Sequence, residues 1–82
     1  MDLVLLTEII VKMIVKDTEA VSVREYESTE DELVHLEVMV NEDDLGRVIG
    51  RDGKTIKSIR NIVYASASLN DLKKVKIDVD SY

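Results

Sequence analysis

Val48-Ile49-Gly50-Arg51-Asp52-Gly53-Lys54-Thr55-Ile56 places two glycines three apart, with an isoleucine before them and a lysine directly after. The chain's only other glycine, Gly46, lies just upstream. Glycine carries no Cβ, so it lets backbone approach a ligand closely and adopts turns that other residues resist. Two glycines around Arg51 and Asp52 make a short turn whose amides and guanidinium can meet a phosphate. By itself the pair also reads as a helix C-cap glycine followed by a second turn glycine, an ordinary join between two helices. The flanking segments decide between these readings.

Downstream, Lys54 to Leu69 contains neither glycine nor proline, and Ile56, Ile59, Val63 and Ala67 recur at helical spacing as an inward stripe. Asn70-Asp71 ends this helix, and Val75, Ile77 and Val79 alternate with Lys76 and Asp78 in a last strand. Upstream, Asn41 followed by Glu42, Asp43 and Asp44 marks a helix start, because asparagine caps well and first-turn carboxylates suit the positive end of the helix dipole. That helix ends at Gly50, with Leu45, Val48 and Ile49 expected in the core. Gly46 inside it costs up to about 1 kcal/mol relative to alanine. Close helix packing or close approach of a ligand would explain it, and packing is favoured.

Before this helix, Val34, Leu36, Val38 and Val40 alternate with His35, Glu37 and Met39, a period of two that predicts a strand with one buried face. His35 is expected on the far, exposed face. Val21 and Val23 alternate with Ser22 and Arg24 in an earlier strand ending near Tyr26, and the polar run Glu27 to Glu32 is the turn of an antiparallel hairpin. Leu3 to Lys16 reads as a helix, with the β-branched portion Ile9 to Val15 leaving a strand as the alternative. Leu3, Leu6, Ile10, Met13 and Ile14 share one face, but Val4, Leu5, Ile9, Val11 and Val15 spread onto others. A helix in so small a domain hides one face, so part of this surface is expected to meet another chain. The order is α-β-β-α-α-β in a single domain, residues 1–82, of α+β class: a mixed three-stranded sheet with three helices on one face.

The 82 residues include no Cys, Trp or Phe and one His, so the core is built from Val, Ile and Leu. A thiolate metal site or a disulfide is excluded, and a metal site or bound cofactor is not expected. The N-terminal apolar run is broken by Glu8 and Lys12 and lacks a basic lead-in, so neither a signal peptide nor a membrane span is expected, and the location expected is the cytoplasm. The net charge of −6 conceals a division. Residues 1–45 carry three basic against thirteen acidic side chains, whereas residues 46–77 carry eight basic against only Asp52 and Asp71. A local basic face can bind phosphates on an acidic protein, although the acidic half lowers affinity and raises salt sensitivity.

A βααβ unit with a Gly-x-x-Gly turn between its helices resembles the KH-domain core. The extra helix and strand before the unit are similar to the type II arrangement. The resemblance extends over nearly the whole chain to the KhpA family of small single-domain bacterial KH RNA-binding proteins. It rests on the apolar first helix, the acidic hairpin, the lead-in Asp44-Leu45-Gly46-Arg47-Val48-Ile49-Gly50, the Ile56/Ile59-Arg60 helix and the short last strand.

It implies non-catalytic binding of single-stranded RNA, with the turn clamping about four nucleotides of backbone and bases lying in a hydrophobic groove. Gly50 and Gly53 would permit the close approach and Arg51 would meet a phosphate. Lys54 would sit where free helix amides favour an anion. Arg47, Lys57 and Arg60 would add flanking charge. Ile49, Val38 and Val40 would be groove or core residues. Asp52 would face phosphate and cancel part of the Arg51 charge, so weak, salt-dependent binding by one monomer is expected. The family further implies an RNA chaperone and post-transcriptional regulator that dimerises or pairs with a KhpB-like KH protein. It also implies links to cell shape and cell-wall homeostasis.

Two other readings of the chain compete with this one. In the first, the KH fold is a protein-assembly module and its RNA contact is incidental. In the second, Gly50-Arg51-Asp52-Gly53-Lys54-Thr55 is the end of a nucleotide-binding Walker loop. That loop needs glycine five residues before Gly53, where the chain has Val48, so an enzyme is not expected.

Overall fold

The computed structural model describes residues 2–26, 33–69 and 74–82. Helix α1 spans Leu3–Lys12, strand β1 Ser22–Tyr26, strand β2 Leu33–Val40, helix α2 Glu42–Ile49, helix α3 Lys54–Leu69 and strand β3 Lys74–Ser81. Short 3-10 turns at Thr18–Ala20 and Arg51–Gly53 join α1 to β1 and α2 to α3. The expected hairpin turn at 27–32 and the helix end at Asn70-Asp71 lie outside the described residues.

Strand β2 occupies the centre of the sheet, antiparallel to β1 and parallel to β3. The parallel pairing is what a βααβ crossover requires, since the chain must return to the starting end of the sheet before β3 begins. Alternation fixes the register. Val34, Leu36 and Val38 stand beside Val75, Ile77 and Val79, and Val23 stands beside Val38. Leu36, Val38 and Val40 are fully buried, so Val38 and Val40 belong to the core. The stripe Ile56, Ile59, Val63 and Ala67 of α3 packs into the same cluster, with Leu3 and Val11 of α1 and Val48 of α2.

Helix α1 stops at Lys12, one turn before the end expected from its apolar spacing. The Val11 carbonyl accepts from both Ile14 and Val15, which tightens the last turn, and the next amides are captured by a carboxylate from α2. Asp2 caps its start, accepting from the Val4 and Leu5 amides. The broad apolar coverage of α1 is only partly used: Leu5 and Ile9 are about half exposed and Met13 is 80% exposed. No helix among the described residues is long and apolar enough to cross a membrane.

On the open sheet face, His35 is half-buried and not free. Its Nε2 lies 2.8 Å from Asp78 Oδ2, and its ring adjoins that of Tyr26. The Tyr26 hydroxyl donates to Glu37, and this bond to a carboxylate raises the phenol's pKa.

Candidate nucleic-acid interface

The Gly50–Gly53 turn is made by three consecutive backbone decisions. The Gly50 amide closes the last turn of α2 on the Gly46 carbonyl, 2.9 Å away, and Gly50 then swings to φ 77°, ψ 172°. That conformation belongs essentially to glycine. A Cβ there would stand 2.2 Å from Thr55 Oγ1 and 2.8 Å from the Thr55 amide nitrogen, so space as well as conformation demands glycine. Asp52 takes φ 56°, the only positive φ outside glycine among the described residues, and Gly53 takes φ 73°. Gly53 differs from Gly50, since its added Cβ would meet nothing closer than 4.0 Å.

The Gly53 amide bonds the Gly50 carbonyl and the Lys54 amide bonds that of Arg51. The donors left at the tip are the Arg51 and Asp52 amides, at the start of a sixteen-residue helix whose dipole favours an anion. The side chains of Arg51, Asp52, Lys54 and Lys57 are all exposed around them. The arrangement offers backbone donors and cations to one phosphate, with a carboxylate among them.

The other expected residues are placed differently. Ile49 is 37% exposed rather than in the core, since the buried side of α2 is the one that carries Asp44 and Val48. Arg47 lies beside Asp44, its Nε 4.0 Å from Oδ1. Arg47 and Ile49 are two positions apart, which puts them about 160° apart around α2. Arg60 is half-buried and donates Nε and Nη2 to the Ile77 carbonyl at 3.3 and 2.8 Å. Gly46 departs from the packing expectation. A Cβ there would touch nothing within 4 Å, so close packing inside this chain does not explain it.

What periodicity missed is Asp44. It reads as one of three first-turn acids, yet it is 2% exposed while Glu42 and Asp43 are exposed. Its Oδ2 accepts from the Asp17 amide at 3.0 Å and its Oδ1 from the Lys16 amide at 3.1 Å. These two amides, with Arg47 beside them, hold its carboxyl below the usual carboxylate range. Asn41 caps α2 through its oxygen and donates its amide to Asp17, which itself caps the Thr18–Ala20 turn. The helix leading into the glycine turn is thereby tied to the chain leaving α1. Its only sequence signal was one acid more than a helix start needs.

Two helices joined by a Gly-x-x-Gly turn, inserted between parallel strands and preceded by a helix and an antiparallel strand, make this a KH domain of the type II order. Era, in its complex with MgGDPNP and nucleotides 1506-1542 of 16S ribosomal RNA, shares the fold at a TM-score of 0.65 and 20% identity. The alignment covers 99% of this chain and 31% of that one. Among curated proteins, the RNA-binding protein KhpA of Thermotoga maritima is 45% identical over 74 residues, 90% of this chain and 93% of its own length. The RNA-binding protein KhpA of Clostridium perfringens is 39% identical over 90% of this chain and 95% of its own. The KhpA/KhpB KH-domain family model matches residues 5–79, and the chain belongs to that family.

Proposed function

We propose that the domain binds single-stranded RNA, gripping the sugar-phosphate backbone at the Gly50–Gly53 turn. The observation that carries this reading is the glycine-only geometry of Gly50, which leaves two amides free at a helix start among Arg51, Lys54 and Lys57. Relatives that are named RNA-binding proteins support it. Arg51 and the tip amides meet a phosphate, Lys54 and Lys57 carry the adjoining ones, and Ile49 offers an apolar contact to a base. Arg47 acts through Asp44 and sets the helix that presents the turn. Asp52 opposes the phosphate and keeps a single site weak.

Fluorescence anisotropy with short single-stranded RNA tests this. Arg51→Asp combined with Lys54→Glu should abolish binding at low salt, whereas Asp52→Asn should tighten it several-fold by removing a like charge. Equal binding by wild type and the double variant would overturn the clamp, and binding by neither at low salt, even with a partner present, would leave the protein-assembly reading in its place.

The half-exposed Leu5 and Ile9, beside a shallow apolar hollow that they share with Leu6 and Asp2, favour pairing through α1. Pairing with a second copy or a KhpB-like partner sets two weak clamps in one particle and raises affinity through effective concentration. Light scattering at high concentration should report more than a monomer for the chain alone, and a strictly monomeric profile would count against pairing of copies through α1. A particle of this kind fits an RNA chaperone and post-transcriptional regulator in the cytoplasm, with the links to cell shape and cell-wall homeostasis that the family resemblance implies.

A further inference from the structure

We infer that Arg60 reads a guanine base in the bound RNA, rather than adding diffuse charge to the surface; the inference rests on the RNA-binding reading above. Strand β3 is an edge of the sheet, and an edge leaves backbone acceptors open. Arg60 reaches across from α3 and gives two N–H groups to one of these acceptors, the Ile77 carbonyl. A carbonyl satisfies hydrogen bonds without cancelling charge, and among the described residues no carboxylate pairs with Arg60. The guanidinium therefore keeps its full charge, in an orientation fixed by the backbone.

Arginine has five N–H donors in a planar fork. The carbonyl takes one from Nε and one from Nη2, which leaves three donors on Nη1 and Nη2. Two parallel N–H groups on a fixed plane match a pair of acceptors side by side, as on the O6/N7 edge of guanine. A fork already held in place loses less freedom on binding than a free one.

Position favours a base over a phosphate. Lys54, Lys57 and Arg60 follow at three-residue steps, so each lies about 60° further round α3 than the last. The row runs from exposed lysines beside the glycine turn to the half-buried Arg60 at the β3 edge, about 10 Å along the helix from Gly53. A strand whose backbone is gripped at the turn keeps its phosphates with the exposed lysines. Its bases then point inward to Arg60, where single-stranded RNA presents its Hoogsteen edges freely.

The test is anisotropy with oligouridine carrying one guanosine at successive positions, repeated with 7-deazaguanosine, which lacks N7, and with adenosine, which lacks O6. Wild type is expected to favour guanosine about tenfold at one position and to lose most of that preference with either analogue. Arg60→Lys keeps the charge but not the fork and is expected to erase the preference. Thermal melting of Arg60→Lys and Arg60→Gln checks folding, and the analogues test the wild type without any substitution. Wild type that binds RNA but ignores base identity would overturn the inference while leaving the clamp intact. So would a preference that persists in Arg60→Lys, or a uniform loss across sequences with a salt slope lower by about one, which marks a phosphate contact. Failure of wild type to bind any RNA would remove the underlying reading as well.

Discussion

Gly50→Ala is expected to destabilise the domain by about 3 kcal/mol or more and to remove RNA binding. Two costs combine. The backbone at φ 77°, ψ 172° is a conformation that side chains with a Cβ rarely adopt. The added methyl would also stand 2.2 Å from Thr55 Oγ1, 2.6 Å from Thr55 Cβ and 2.8 Å from its amide nitrogen. Trimming the neighbour does not help, since Thr55→Ala removes only the first of these contacts and the double variant is expected to remain as unstable. Gly53→Ala provides the contrast. Its left-handed backbone costs about 1–2 kcal/mol, and the new methyl meets nothing closer than Ile56 Cγ2 at 4.0 Å. Denaturant unfolding of the two variants measures the difference. Equal losses would mean that Thr55 does not confine the turn.

Asp44→Asn is expected to lower Tm by roughly 10 °C. Asparagine keeps one acceptor but turns an NH2 group toward an amide that needs an oxygen, leaving a buried donor unsatisfied. The same residue is expected to make the domain acid-sensitive. The Asp44 carboxyl in the folded chain has a lowered pKa, first through the Asp17 amide and then through the Lys16 amide. As pH falls, the unfolded chain therefore takes up this proton before the folded one does. Its contribution is complete above the unfolded value near 4 and is lost as pH drops through the lower folded value. Tm measured from pH 7 down to pH 3 should fall more steeply in wild type than in Asp44→Asn. Parallel curves would show that the carboxylate is not what ties α2 to α1.

Local signals in the chain carried most of the fold. The stripe Ile56, Ile59, Val63 and Ala67 marked α3, and the alternation from Val34 to Val40 marked β2, because each depends only on near neighbours and a period. The glycine spacing and the Asn41 cap were legible for the same reason. What could not be read locally depends on partners far along the chain. Asp44 finds its amides 27 and 28 residues away, and their capture of the chain ends α1 early. Arg60 looked like an ordinary flanking cation until the β3 edge came within its reach. Ile49 was expected in the core beside Val48, but the side of α2 that faces the core is the one carrying Asp44 and Val48, and the buried acid there was not expected. Gly46 suggested packing, and the structure leaves open space at that point.

RNA is expected to be held at the Gly50–Gly53 turn. Amide chemical shifts followed by NMR during titration with a short single-stranded RNA test it most directly. The largest changes are expected at Gly50, Arg51, Asp52, Gly53 and Lys54, with smaller ones along α3 to Arg60 and none on the open sheet face at Arg24 and Glu37. Changes centred on that open face or on α1, with the glycine turn unmoved, would contradict it.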